Sequence, residues 1–181
     1  MINFSKQHTL ANSYTFKGKG LHTGLSVTMT IKPAKPNTGV LFHRVDLGPD
    51  AYINAVSDYV TTTSRGTTLE KGQVKISTLE HLMATLYGMH IDNVLVEIDA
   101  PEVPILDGSA KFFADAIAAD GIVEQDAERK YLEIKENICF RDDATGSEIV
   151  ILPYDSLAVN LMIDFNSKVL GNQYARFNQH V

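Results

Sequence analysis

The sequence predicts an α+β fold: a two-layer sandwich of a sheet and helices, followed by the truncated start of a second, similar domain. Three observations lead to this prediction. Segments with an apolar period of two residues dominate residues 7–56, two segments of helical period lie between residues 77 and 121, and only strand-like segments follow residue 130.

Residues 7–56 are predicted to form a run of strands. In Ser26–Lys32 every second residue is apolar, which is the pattern of a half-buried strand. Proline and glycine residues then interrupt the chain before an apolar pattern resumes at Val40. The turn Gly18–Gly24 has three glycines in seven positions, and both hairpin geometry and ligand binding account for it.

The first predicted helix begins near Ser77. Ser77 and Glu80 match the S-x-x-E capping box, in which a serine hydroxyl and a glutamate carboxylate satisfy free N–H groups at a helix start. Apolar residues follow at helical spacing as far as Gly88, which is expected to end the helix.

A buried strand is predicted over Asn93–Ile98, and a second helix follows it. Asp107–Ser109 is expected to cap this helix, and Gly121 is expected to end it. Phe112 and Phe113 are expected to lie on its apolar side.

Residues 1–125 are therefore assigned to a first domain, and residues 126–181 to an incomplete second domain that contains strands only. The charged stretch Glu124–Lys130 is expected to be a linker, and Asp142–Gly146 has the composition of a hairpin turn. A sheet with no helices on its face is a poor folding unit, so this domain is expected to be cut short. Its strand-like segments are Tyr131–Phe140, Glu148–Leu152 and Leu157–Phe165.

Composition excludes several classes of protein. The formal charge of the 181 residues is −6 and the basic residues are scattered, so nucleic-acid binding is not expected. The single cysteine, Cys139, excludes an internal disulfide and a cysteine-based zinc finger. No apolar run has the length of a signal peptide or of a transmembrane segment, so a cytoplasmic protein is expected.

Glu80 and His81 are the main candidates for chemistry. If His81 binds a metal ion, Glu80 is available beside it as a base, and the positive end of the helix favours the neutral imidazole that a ligand needs. On spacing alone the structural alternative is favoured: Glu80 closes a helix cap, and His81 is a polar residue on a first turn. Position 85 is threonine, so the HExxH arrangement of two histidines is excluded.

The other histidines do not identify further ligands. A catalytic zinc needs about three protein ligands and one open position. No two of the remaining histidines share a tight spacing, and each is expected to be a surface or turn residue. They are His8, His22, His43, His90 and His180.

Five segments of the chain match a known family in order and spacing. They are Gly20–Gly24, Ile31–Ala34 with Asn37–Gly39, Val74–Leu82, Gly88 with Ile91–Asn93, and Ala100–Ala110. Together they resemble the UDP-3-O-acyl-N-acetylglucosamine deacetylases, zinc amidases of lipid A biosynthesis in Gram-negative bacteria. The resemblance covers most of residues 7–165. It implies two similar domains, each a sheet layered with helices, with the active site between them.

The resemblance also implies roles for three residues. His81 would be a Zn²⁺ ligand, Glu80 would be the general base that takes a proton from the attacking water, and His22 would lie near the substrate. The substrate would be UDP-3-O-acyl-N-acetylglucosamine, which loses its acetyl group.

In that family the remaining zinc ligands and the general acid come from a later part of the second domain. The chain ends before that part, and His180 does not match the family pattern, so these 181 residues are expected to be inactive alone. Some family members continue into a 3-hydroxyacyl-carrier-protein dehydratase domain, which the whole protein could share. A second class stays open at this point: a binding or regulatory module that keeps the fold without catalysis.

Overall fold

The computed structural model describes residues 5–179 of the chain. These residues form a mixed α/β structure, mostly sheet with two α-helices, which divides into two compact units, one ending at Arg129 and one beginning at Lys130. The first unit contains ten strands and both helices in its described part. They are β1 (Lys6–Leu10), β2 (Tyr14–Lys19), β3 (Ser26–Pro33), β4 (Val40–Arg44), β5 (Tyr52–Asn54), β6 (Val60–Thr62), β7 (Thr68–Lys71), β8 (Val74–Ser77), α1 (Glu80–Gly88), β9 (Val94–Ile98), α2 (Lys111–Asp120) and β10 (Ile122–Glu128).

The main sheet of the first unit has the strand order β2-β3-β9-β4-β5. β4 and β9 run parallel, and the other neighbours are antiparallel. Alternate residues of each strand point to one face, as the period of two predicts, and that face is buried. Its buried residues are Val27, Met29, Ile31, Phe42, Ile53, Val94, Val96 and Ile98.

Both helices contribute to the same apolar core as this sheet. Leu82 and Leu86 of α1 and Phe113 and Ile117 of α2 belong to one cluster of buried residues with the sheet face. The ring of Phe113 meets that of Phe16 edge to face, with 4.8 Å between the centroids. These contacts pack both helices and the sheet into one core, as the sequence predicts for the first unit.

The predicted capping box at the first helix is wrong. Ser77 is the last residue of β8, and α1 begins three residues later with no side-chain cap on its first N–H groups. The carboxylate of Glu80 accepts instead from the backbone N–H of Thr67. The pattern predicted that the Glu80 carboxylate would accept an N–H group at the start of its own helix, but the carboxylate accepts the N–H of a residue in the loop before β7.

The second helix is largely as predicted, with one correction. The hydroxyl of Ser109 accepts the N–H of Lys111 at 3.1 Å, and Gly121, with a φ of 81°, ends the helix. Phe113 is fully buried, but Phe112 is 56% exposed. Neighbouring side chains on a helix point about 100° apart, so only one of the two phenylalanines can face the core.

The predicted linker is also wrong, because residues 122–128 form β10, which pairs antiparallel with β1. Buried amides hold this strand to the unit. Nδ2 of Asn93 donates to Oε1 of Gln7 and to Oε1 of Gln125, both at 2.8 Å. Nε2 of Gln7 in turn donates to the carbonyl of Glu128 at 2.9 Å. Three of the charged residues that indicated a linker, Glu124, Asp126 and Glu128, are exposed residues of a paired strand.

His8 was expected at the surface or in a turn, and it is instead a 2% exposed residue inside β1. Its carbonyl accepts the backbone N–H groups of Asp92 and Asn93. Arg129 binds the Asp92 carboxylate with two bonds, of 2.8 and 2.7 Å, and burial together with the Arg129 charge lowers the pKa of His8. The histidine is therefore held as a neutral core residue.

The second unit consists of two antiparallel hairpins in its described part. The first hairpin turns at Asp142–Gly146, as predicted, with the N–H of Gly146 donating to the carbonyl of Asp142 at 2.7 Å. The final strand has no counterpart in the sequence prediction, and the first begins only at Ile138. The strands are β11 (Ile138–Asp142) with β12 (Ser147–Ile151), and β13 (Ala158–Asp164) with β14 (Asn172–Asn178).

Residues 130–179 include no helix, and many of the apolar side chains of these hairpins are exposed. That this unit is the start of a second domain similar to the first stays a prediction. Within residues 5–179, neither helix has the length and apolar character needed to cross a membrane.

The two neighbouring phenylalanines of α2 give a matched test of the core. Phe113→Ala is expected to lower the free energy of unfolding by about 3–5 kcal/mol, because it removes a fully buried ring. Phe112→Ala should change it by less than about 0.5 kcal/mol. Urea denaturation followed by circular dichroism measures both, and equal losses would show that the helix is rotated relative to this structure.

Candidate active site

The candidate site lies where β8 passes into α1. Thr78 joins the two elements with a φ of 57°, a left-handed conformation that is unfavourable for a residue branched at Cβ. The N–H of Thr78 donates to the carbonyl of Thr67 at 3.1 Å. This sharp turn places Glu80 and His81 in the first turn of α1, directly after the strand.

A buried carboxylate, that of Glu102, lies under this turn. The residue is 0% exposed. Its carboxylate accepts from the backbone N–H groups of His22 and Thr23, at 3.0 and 2.8 Å, and from the hydroxyls of Thr23 and Thr78, at 2.7 and 2.9 Å. One side chain therefore binds both residues 20–25, the loop between β2 and β3 that we call the His22 loop, and Thr78, which leads into α1.

These four donors decide the charge of Glu102. Burial raises the pKa of the carboxyl, but the donated hydrogen bonds outweigh burial and lower the pKa from 4.5 to about 2. Because the pKa of the folded state lies below that of the unfolded chain, the ion stabilises the fold above about pH 4.5. That stabilisation is lost as the pH falls towards 2.

Gly20 allows the His22 loop to approach this carboxylate. A Cβ atom at Gly20 would meet Oε2 of Glu102 and the hydroxyl of Thr23 at less than van der Waals distance. The N–H of Gly20 also donates to the carbonyl of Leu25, and Gly24 takes a φ of 66°. The hairpin explanation of the glycine-rich turn thus applies, and one of its glycines leaves room for the Glu102 carboxylate. Ligand binding by this turn stays a prediction.

The structure brings His22 and Glu80 to one place, around Gly66. A Cβ atom at Gly66 would lie 3.8 Å from Oε1 of Glu80 and 3.9 Å from Nε2 of His22. Nε2 of His22 also lies 3.2 Å from the carbonyl of Arg65. His22 and Glu80, which are 58 positions apart in the sequence, therefore both lie beside the loop that precedes β7.

Glu80 is exposed to solvent, and its carboxylate accepts the N–H of Thr67. Burial raises the pKa of Glu80, but the bonds from the Thr67 N–H, from its own N–H and from the Thr67 hydroxyl, together with the nearby His81, hold that pKa below its ordinary value. An ionised, solvent-accessible carboxylate in a fixed position can accept a proton from water.

His81 is half-buried, and its carbonyl accepts the hydroxyl of Thr85 at 2.8 Å. Position 85 would hold the second histidine of an HExxH motif, but it is a threonine whose hydroxyl donates to a carbonyl of the same helix. Among residues 5–179, no three His, Cys, Asp or Glu side chains gather in an arrangement that would hold a metal ion. His81 offers one imidazole ligand.

The remaining histidines lie in other surroundings. The His43 ring stacks on that of Tyr52, with 4.2 Å between the centroids. His90 takes a φ of 59° in the turn after α1, and its carbonyl accepts a bond of 2.9 Å from Arg129. His180 lies outside the described residues.

Sequence reasoning missed three residues of this site: Glu102, Thr78 and Thr67. Glu102 lies within one of the five matching segments, between Pro101 and Pro104, and nothing in a single sequence distinguishes a buried acid there from an exposed one. Its partners come from segments that are distant in the chain, so no local spacing could have identified them.

The sequence of the chain matches a known family. The family model of the UDP-3-O-acyl N-acetylglycosamine deacetylases matches residues 7–181, and the chain belongs to that family. It is 46% identical over 170 residues to a bifunctional enzyme LpxC/FabZ of Bacteroides thetaiotaomicron. It is 43% identical over 168 residues to a UDP-3-O-acyl-N-acetylglucosamine deacetylase of Geobacter sp. (strain M21), and 41% identical over 176 residues to that of Haemophilus influenzae (strain PittEE). The resemblance inferred from the five segments is confirmed.

These alignments cover most of this chain and only part of each relative. They span 94%, 93% and 97% of the chain, in the same order of relatives. They span 37% of the bifunctional relative and 54% and 57% of the two deacetylases. The chain thus corresponds to about half, or less, of the length of the relatives it matches.

Gly20 and Gly88 form a matched pair for testing the close approach to Glu102. Gly20→Ala is expected to lower the free energy of unfolding by about 1–3 kcal/mol, because its Cβ has no room. Gly88→Ala meets no atom within 4 Å and should raise the free energy by no more than about 1 kcal/mol. Thermal denaturation compares them, and a neutral Gly20→Ala would mean that the loop does not rest on the carboxylate.

Proposed function

We propose that the whole protein to which this chain belongs is a zinc-dependent hydrolase that removes the acetyl group from UDP-3-O-acyl-N-acetylglucosamine in lipid A biosynthesis. The observation that carries the proposal is the meeting of Glu80 and His22 around Gly66, with His81 next to Glu80, in a member of the deacetylase family. The names of the relatives supply the substrate.

Glu80 is assigned the role of general base. It is ionised at neutral pH and open to solvent, and the N–H of Thr67 holds its carboxylate in a position from which it can take a proton from the attacking water. Removing that proton makes the water nucleophilic towards the acetamide carbon of the sugar. The proton is then available for the departing amine.

His81 is assigned the role of a zinc ligand. His81 is a half-buried residue in the first turn of α1, and a neutral imidazole nitrogen is a common zinc donor. The donor set fits zinc as one ligand of about three, so the remaining ligands would come from parts of the protein outside this chain. When bound, zinc would polarise the acetamide carbonyl and lower the pKa of water.

His22 is assigned to substrate binding. Its ring is exposed, and its backbone N–H is fixed by Glu102 at 3.0 Å. The ring is therefore open to solvent near Gly66, which Glu80 also approaches, on a loop whose backbone is held in place. A hydrogen bond from the ring to the sugar or to its acyl ester would hold the acetamide near the base.

Three further proposals follow from the family. The 181 residues are inactive alone, because they supply one zinc ligand. The whole protein works in the cytoplasm, where a UDP-sugar is available. The relative from Bacteroides thetaiotaomicron is bifunctional, so the whole protein can also carry a 3-hydroxyacyl-carrier-protein dehydratase domain.

The assignment of Glu80 is tested in the whole protein by measuring acetate release from the substrate, with and without zinc. Glu80→Gln is expected to lower kcat by about 10²–10⁴-fold, because the amide cannot accept the proton. His81→Ala should remove activity together with bound zinc, measured by metal analysis of the purified protein.

Glu70→Gln is the matched control, because Glu70 is a carboxylate that pairs with Lys75 on another strand. It should leave kcat within about twofold of the parent. If the unsubstituted whole protein folds and binds zinc but releases no acetate, the deacetylase function is excluded and a binding module is favoured. Full activity in Glu80→Gln would exclude Glu80 as the base.

A further inference from the structure

We propose that Glu102 is a positioning residue of this active site, whose ionised carboxylate holds the His22 loop and the start of α1 in one fixed arrangement. The proposal rests on the proposed function of Glu80 and His22. Glu102 is fully buried and does not itself reach the solvent in which the reaction takes place.

One oxygen of the carboxylate joins two segments, and the other binds the His22 loop alone. Oε1 accepts the N–H of His22 at 3.0 Å and the hydroxyl of Thr78 at 2.9 Å, so it connects the loop to the turn before Glu80. Oε2 accepts the N–H of Thr23 at 2.8 Å and its hydroxyl at 2.7 Å. Both oxygens act as acceptors only, which a carboxylate can do and a carboxamide cannot.

The charge of Glu102 is balanced by these neutral donors. Within residues 5–179 its carboxylate takes part in no ion pair with Lys, Arg or His. A buried charge is costly unless its hydrogen bonds are satisfied, and here the donors belong to the two segments that carry Glu80 and His22. The cost of burying this ion is therefore offset by contacts that order the site.

The backbone around Glu102 is fixed on both sides, which allows its side chain to act as a rigid support. The N–H of Ser77 donates to the carbonyl of Pro101 at 2.9 Å, and the N–H of Val103 donates to the carbonyl of Ser77 at 3.1 Å. The N–H of Ile105 donates to the carbonyl of Lys19 at 3.0 Å. Residues 101–105 thus connect the end of β2 with the end of β8.

The bond to Thr78 explains how this support reaches Glu80. Thr78 holds an unfavourable left-handed φ, and such a conformation persists only where its surroundings enforce it. The hydroxyl bond to Glu102 and the N–H bond to Thr67 are two such constraints, and Glu80 follows two residues later. Loss of the first bond would let the turn relax and move the base.

The test compares Glu102→Gln with Asn93→Asp in the whole protein. The first change replaces one acceptor oxygen with an NH2 group, which faces a backbone N–H of the His22 loop as donor against donor in either orientation of the amide, whereas the neighbouring threonine hydroxyl can turn to accept. The second change is the reverse, since it replaces a buried amide with a carboxylate. Asn93 is 1% exposed and donates to the Oε1 atoms of Gln7 and Gln125, so the new carboxylate would face two acceptors. Asn93 bonds neither His22, Thr23 nor Thr78, so it reports the effect of a buried polar defect away from the site.

Glu102→Gln is expected to lower kcat for acetate release at least about tenfold, because a displaced base slows chemistry, and to raise KM, because the His22 loop loses the same support. Bound zinc should be unchanged. Asn93→Asp should keep kcat within about twofold, compared at equal folded fraction. Equal losses of kcat in the two variants, or normal kcat in Glu102→Gln, would overturn the proposal.

Amide hydrogen exchange tests the same contact without activity. In Glu102→Gln the N–H groups of His22 and Thr23 should exchange at least about tenfold faster, and in Asn93→Asp they should not. A parent protein that releases no acetate would refute the proposed function, and the exchange rates would still decide whether Glu102 holds the loop. Unchanged exchange in Glu102→Gln would overturn the positioning role.

Thr78 provides a second pair of variants in case Glu102→Gln does not fold. Thr78→Ser keeps the hydroxyl that donates to Glu102 and should keep kcat within about twofold. Thr78→Val keeps the shape and removes the donor, and kcat should fall at least about fivefold. Equal kcat values in the serine and valine variants would show that the hydroxyl bond does not position the base.

Discussion

The hydrogen bonds to the buried Glu102 carboxylate are the interaction on which the candidate site depends. Four donors from two separate segments meet one ionised side chain inside the first unit. Without that ion, the His22 loop and the turn at Thr78 would have no shared anchor. The site is therefore organised by a residue that takes no part in the proposed chemistry.

The sheet topology explains why these segments come together. The His22 loop connects β2 to β3 at one edge of the main sheet, and β8 ends beside the segment that follows β9. The core formed by the sheet face, α1 and α2 fixes these elements, and the polar contacts then set the positions of individual side chains. Apolar burial accounts for the architecture, and hydrogen bonds to one ion account for the local geometry.

Much of the fold could be predicted from local patterns, because β3 and α1 bury the side chains that their periods of 2 and about 3.6 residues select. The exceptions involve partners far away in the chain. β10 resembled a linker because its charges are exposed while its backbone pairs with β1, and the capping box failed because Thr67 supplies the donor to Glu80. The candidate site divides in the same way: family resemblance indicated His22, Glu80 and His81, whereas Glu102 depends on contacts that only the fold creates.

The most direct measurement of this dependence is the titration of the Glu102 carboxyl carbon by nuclear magnetic resonance, with the amide spectrum recorded at each pH to follow folding. The account predicts that the carbon keeps the chemical shift of an ionised carboxylate well below pH 4.5 and titrates near 2, because four donors stabilise the charge. A midpoint near 4.5 in the folded protein would contradict it, since the carboxyl would then lack the bonds that join the two segments.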